Sequence, residues 1–251
     1  MVFNDIPAGT DFYFGTAKNR RYDYATRRYN EEPAPMKWRK TALDGLSVEI
    51  GEKTVGSFDH PRPTTGTNKS IRAHGHRLFF LSSLCKYLNC ADNSWMSVDA
   101  GDRAPSHSEG STEGFLSRFS EDELKYLEKF TMKINVPTGY VKQYGTQMEQ
   151  EVLVGIPSQE QVGVEGREGA FGPHMPSLYT WLSDGDTLSH YHRNTWTQRT
   201  SGDNLNHVAP IIKIKADAPV DTDSQGRYVI RVPEKAFEGD LDAFLGFEAA
   251  A

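Results

Sequence analysis

"SEDELKYLEKFTM", Ser120 to Met132, is the strongest local signal in the chain, and its reading decides how much helix the fold contains. Ser120 and Glu123 have the spacing of a capping box, in which each side chain satisfies a free backbone N–H at a helix start. Glu121 and Asp122 place negative charge at the positive end of the helix dipole. Leu124, Leu127 and Phe130 recur at helical spacing, which predicts a helix with that face on the core. The only other clear helix signal is "SSLCKYLN", Ser82 to Asn89, where Ser82 or Ser83 caps a short helix burying Leu84 and Leu88.

Around these two helices the chain reads as short strands. "TDFYFGT" near Phe12 and "MKWRKTAL" from Met36 are aromatic-rich runs bounded by Gly and Pro. "RLFFLS", Arg77 to Ser82, reads as another strand, and "EVLVGIPS", Glu151 to Ser158, as a buried one. "VAPIIKIKA", Val208 to Ala216, and "RYVIRVP", Arg227 to Pro233, read as a late strand pair with "DTDSQG" in the turn between them. Residues 234–251 form a short amphipathic tail. The fold class expected is α+β, a single domain over residues 1–251, with polar insertions near 58–76 and 98–114.

At 251 residues the chain is long enough to bury a sizeable core without staples. A formal net charge of −6 argues against binding nucleic acid through phosphate contacts. The one basic run, "KNRRYDYATRR" from Lys18 to Arg28, has acids close by and reads as a solvated loop. No apolar run reaches the roughly 20 residues of a membrane-spanning helix, so no membrane insertion is expected. "MVFNDIPAGT" lacks the pattern of a secretory signal. Cys85 and Cys90 are five apart on the predicted helix and offer no disulfide framework. These features predict synthesis and folding in a reducing cytoplasm.

The stretch "YTWLSDGDTLSHYHRNTWTQRTSGDNLNHVAP", Tyr179 to Pro210, concentrates aromatics, histidines and amide side chains without sustained helical or strand periodicity. Tyr and Trp give rigid contact area, while Ser, Asn and Gly give adaptable hydrogen bonds. The candidate contact residues are Tyr191, His192, Arg193, Asn194, Trp196, Gln198, Arg199 and Asn204. Trp181 reads as core. A metal site is the competing reading: His190 and His192 share a face if they lie on a strand, and Asp184 or Asp186 could complete the set. No HExxH or clustered Cys/His spacing accompanies them. "DTDSQG", with Asp221 and Asp223, matches the first half of a calcium loop, but Val232 stands where the closing Glu belongs; a tight turn explains the same residues. Ser158 has no G-x-S-x-G elbow around it. No catalytic residue, metal or cofactor is expected.

Taken in order, these elements resemble a bacterial and phage family of C-type-lectin-like domains, distantly similar in fold to the formylglycine-generating enzymes. The resemblance runs through Gly9, Phe12, Phe14 and Gly15; Pro35 to Trp38; "SSLCKYLN" with Cys85 and Tyr87; and Phe115, Phe119, Ser120 and Glu123. It continues through "VLVGIPSQEQVG" with Ser158 and Gln161, then Trp181, Leu182 and Ser183, and Val208, Ala209, Pro210 and Ile211. Two family arginines, in the last two elements, are missing here. The resemblance implies a C-type-lectin-like fold whose irregular segment before the closing strand lies on a binding face. It implies a non-enzymatic structural or binding protein of a phage or phage-like particle: a tail, baseplate or head-surface component with a receptor-binding role. Its partners would be other virion proteins, copies of itself, or a host receptor or glycan. The long polar stretches are expected to pack against such neighbours. The enzymes of that fold use a late cysteine pair, and this chain has no cysteine after Cys90. The alternatives are an enzyme on the same scaffold, with His190, His192 and Asp186 as its site, and a bacterial surface adhesin.

Overall fold

The computed structural model describes residues 1–23, 25–43, 45–50, 54–56, 79–81, 83–96, 113–136, 141–158, 161, 189–192, 195–198 and 206–231. The fold is mixed α+β and built mostly of strands, with helices of one or two turns. Two long strands dominate it. β1 (Asp11–Asp23) and β2 (Arg28–Lys40) form an antiparallel hairpin. β3 (Leu46–Glu49) pairs with the end of β2, and β4 (Thr54–Gly56) follows it. After a 3₁₀ turn at Phe79–Leu81 comes helix α1 (Ser83–Leu88). Single-turn α2 (Glu121–Leu124) leads to β5 (Leu127–Glu128) and β6 (Phe130–Asn135). Single-turn α3 (Val141–Tyr144) connects to β7 (Gln147–Val152) and β8 (Val154–Gly155). The remaining strands are β9 (Ser189–His192), β10 (Thr195–Gln198), β11 (Asn206–Val208), β12 (Ile211–Ile214), β13 (Val220–Thr222) and β14 (Tyr228–Ile230).

Eight strands make the main sheet, in the order β13-β14-β1-β2-β3-β12-β5, with β8 also on β12. β14 joins β1 in parallel and the other pairings are antiparallel. Phe12, Trp38, Ile212 and Val154 from this sheet close over Leu84, Leu88 and Phe115, all almost fully buried. Lys40 ties the N-terminus to the sheet by donating to the carbonyls of Phe3 at 2.9 Å and Ile6 at 2.7 Å. Partial burial pushes its ammonium below the ordinary lysine value.

The capping box forms as expected: Glu123 N–H donates to Ser120 Oγ at 3.3 Å, and Ser120 N–H to Glu123 Oε2 at 2.7 Å. The helix it starts is a single turn, shorter than expected. Leu127 pairs with Ile214 and Phe130 begins a strand. One turn of helix bears the full nucleation cost for few bonds, whereas β12 offers Leu127 and Glu128 a ready ladder. Met132 and Ile134 are buried between exposed neighbours, the period of a strand.

Three other expectations change. "RLFFLS" holds a 3₁₀ turn rather than a strand, because Phe79 and Phe80 are both buried and a strand sends consecutive side chains to opposite faces. "VAPIIKIKA" and "RYVIRVP" do not pair: β12 lies among β3, β5 and β8, while β14 pairs with β13 and β1. The basic run is a loop only in part: Lys18 to Asp23 lie in β1 and Arg28 in β2, with a turn at Ala25 to Arg27. The stretches 58–76 and 98–112, the tail 234–251 and Trp181 lie outside the described residues.

The "FG" pair marks a bulge. Register shifts between Tyr13 and Thr16, and Gly15 sits at φ +78, a conformation open to glycine. A Cβ there would lie 2.7 Å from the Phe119 ring. Gly15 N–H donates to Glu123 Oε1 at 3.3 Å, so the capping carboxylate also holds the bulge.

Candidate binding face

Described residues that flank the polar stretches are joined to one another by backbone pairing. β8 and β12 pair, with Gly155 opposite Ile211. The strands on either side of the Tyr179–Pro210 stretch in the chain, β8 before it and β12 after it, therefore lie side by side in the sheet. β11 pairs with β4, Asn206 opposite Gly56. β4, which precedes the 58–76 stretch in the chain, is thus paired with the end of the Tyr179–Pro210 stretch.

The third stretch is pinched in the same way. Gly114 N–H donates to the Asp92 carbonyl at 2.8 Å. A Cβ on Gly114 would lie 2.0 Å from the Cys90 carbonyl oxygen, so only glycine fits this crossing.

The segment read as irregular contains a β-hairpin. β9 and β10 pair with Ser189 opposite Gln198, His190 opposite Thr197, Tyr191 opposite Trp196 and His192 opposite Thr195. Of the predicted contact residues, Tyr191, His192, Trp196 and Gln198 lie in this ladder. Arg193, Asn194, Arg199 and Asn204 lie outside the described residues, as do Asp184 and Asp186. The pattern "SHYH-RN-TWTQ", with aromatic and β-branched residues either side of a two-residue link, was the hairpin signal in the sequence. It is faint because Arg-Asn is not one of the usual Gly-containing hairpin links. His190 and His192 are two apart on β9. Among the described residues no three His, Cys, Asp or Glu side chains are grouped to hold a metal ion.

The Asp221–Gly226 stretch forms a tight turn, and its carboxylates are taken by the protein's own cations. Asp223 Oδ1 accepts from the N–H groups of Gln225 at 3.0 Å and Arg227 at 2.7 Å, and Oδ2 accepts from Arg227 Nε. Asp221 pairs with Arg231 at 2.8 Å. Gly226 at φ +77 completes the turn. Burial alone would raise the Asp223 carboxyl; the bonds from Arg227 and Gln225 outweigh it and hold the group below the usual carboxylate value. This stabilisation is complete above the unfolded value of about 3.9 and is lost as pH falls through the folded value. Asp223→Asn should therefore cost about 1–2 kcal/mol at neutral pH and flatten the acid limb of stability, read by urea unfolding across acid pH. An unchanged acid limb would show that this carboxylate is not the titrating group.

The two cysteines differ in environment. Burial pushes Cys85 up to about 12. The Cys90 thiol lies 2.9 Å from Asp92 Oδ1 and 3.0 Å from Ser94 Oγ. Its bond, with those of the Ser94 hydroxyl and N–H, lowers Asp92 to about 2. Ser158 is a cap: its Oγ accepts from Gln161 N–H at 3.2 Å, and Gln161 Oε1 accepts from Ser158 N–H at 2.7 Å.

Comparison of the chain with protein-family models, with curated proteins and with solved structures gives no match.

Proposed function

We propose that the chain is a non-enzymatic binding protein with a C-type-lectin-like architecture, a structural component of a phage or phage-like particle. In this reading the sheet is a rigid platform, and the segment from Asp184 to His207 is the contact surface. One observation carries it. The sheet residues that precede and follow this part of the chain are paired, Gly155 opposite Ile211, and within the segment Tyr191 stands opposite Trp196 in a pair of antiparallel strands. Such a segment on a rigid scaffold can vary without disturbing the core, the usual placing of binding residues.

The residues behind the family resemblance support the architectural part, because several of them meet. Gly15 lies under Phe119, Trp38 donates to the Phe14 carbonyl, and Tyr87 packs between Trp95 and Phe115. The partners under this proposal are copies of the chain, other particle proteins, and a receptor or glycan on the host cell.

The test separates contact from folding. Tyr191→Ala, Trp196→Ala and Arg199→Ala should each change stability by no more than about 0.5 kcal/mol. Each hot-spot change should weaken binding to host cells or an arrayed glycan by about 1 kcal/mol or more. If Trp196→Ala unfolds the domain like a core truncation, or if binding is untouched in all three, the contact-surface reading fails.

A further inference from the structure

The β1–β2 hairpin is much longer than the sheet that holds it. β14 pairs with β1 at Phe12 and Tyr13, and β3 pairs with β2 from Trp38 to Lys40. Beyond these the hairpin continues through Lys18↔Pro33, Asn19↔Glu32, Arg20↔Glu31, Arg21↔Asn30, Tyr22↔Tyr29 and Asp23↔Arg28. Among the described residues no other strand pairs with this part on either side. It is a two-stranded arm roughly 20 Å long. Such a ribbon is marginal in water by itself, and among the described residues neither of its edges has a pairing strand.

The two edges differ in charge. The outer part of β1 holds Lys18, Arg20 and Arg21 against one carboxylate, Asp23; the outer part of β2 holds Glu31 and Glu32 against one cation, Arg28. Two identical edges brought together would set like charges opposite each other, which is unfavourable in a ladder. A β1 edge against the β2 edge of another copy would repeat the opposition of Arg20 to Glu31 that the hairpin already uses. Pro33 and Pro35 cannot donate to a ladder, so both must have their backbone nitrogens facing away from β1. They block the base of the outer β2 edge and leave Tyr29 to Glu32 open.

We propose that the arm is an assembly element that adds, edge to edge, to the arm of a second copy of this chain, β1 of one against β2 of the next. Pairing of this kind is heterologous, so it continues from copy to copy and closes as a ring of three or more, not as a two-fold dimer. Closure into a continuous antiparallel ribbon removes the free edges. This deepens the assembly side of the function proposed above and does not depend on what Tyr191 and Trp196 contact.

The experiment measures mass in solution by sedimentation and light scattering on the full chain, at low and high salt. The wild type should be an assembly of three or more copies that loosens in high salt. A variant in which Asn-Gly replaces residues 19–32, closing Lys18 to Pro33, should be monomeric with its melting transition retained. Arg20→Glu with Arg21→Glu should lower the association constant roughly tenfold or more, and adding Glu31→Arg and Glu32→Arg should restore it. A wild type that stays monomeric at all concentrations overturns the proposal. So does a two-fold dimer, an assembly that survives arm shortening, or a charge swap that restores nothing. If the only arm-dependent event is a shift with a DNA duplex, the arm is a nucleic-acid element and the proposal fails. A monomeric wild type that still binds host cells refutes the arm and leaves the contact surface standing.

Discussion

Trp38→Ala is expected to cost about 4–5 kcal/mol, enough to unfold many domains of this kind. Trp38 is fully buried and its ring packs beside Phe119, 6.3 Å between centroids. Truncation opens a large cavity where β1, β2 and the Phe115–Phe119 turn meet, and such a cavity collapses poorly. It also removes the indole N–H that donates to the Phe14 carbonyl at 2.8 Å. That carbonyl lies beside the Gly15 bulge, where the strand ladder is interrupted. Trp38→Phe separates the two parts: it keeps most of the apolar volume, orphans the carbonyl, and should cost about 1–3 kcal/mol. Urea unfolding of both variants decides the matter. A loss below about 1.5 kcal/mol for the alanine variant would mean that the indole is not a core anchor.

Asn89→Ala is expected to cost about 3–4 kcal/mol although it removes only a small polar group. The Asn89 amide makes four bonds. Its nitrogen donates to the carbonyls of Cys85 at 3.0 Å and Val154 at 2.8 Å; its oxygen accepts from Leu153 at 2.9 Å and Val154 at 3.1 Å. Leu153 is the break between β7, which pairs with β6, and β8, which turns to pair with β12. The backbone at such a break has lost its ladder, and buried amide groups need partners. One side chain at the end of α1 supplies them and so holds the turn from β7 into β8. Asn89→Asp keeps the acceptor but sets a carboxylate oxygen against the carbonyls of Cys85 and Val154, so at neutral pH it should cost at least as much as the alanine variant. A loss below about 1 kcal/mol for either variant, measured by the same unfolding, would mean that the amide does not hold the break.

Several features were legible in the sequence because their causes are local. Ser120 and Glu123 form their capping box with residues three positions apart. Helix α1 buries Leu84 and Leu88 as spaced. Asp223 and Gly226 dictate a turn through their own backbone preferences. The aromatic runs at Phe12 and Trp38 announced the two central strands. The predicted contact residues fell in part on a hairpin, whose own alternation was present but masked by its polar composition.

What only the tertiary structure decided depends on partners distant in the chain. Leu124, Leu127 and Phe130 fit helical spacing, yet β12, arriving from Ile211–Ile214, offers Leu127 a strand ladder that a one-turn helix cannot match. "RLFFLS" looks like a strand until both phenylalanines must be buried on one side. The length of the β1–β2 arm is set by where β14 and β3 stop pairing, and neither stop is written in the hairpin. Nothing near Asn89 shows that it serves a break more than sixty residues away, since |i−j| is 64 to Leu153. Local sequence fixes caps, turns and strand propensity because those energies arise between neighbours. The choice between helix and strand, and the pairing of β8 with β12, are decided by long-range backbone pairing that forms only once the whole sheet is in place.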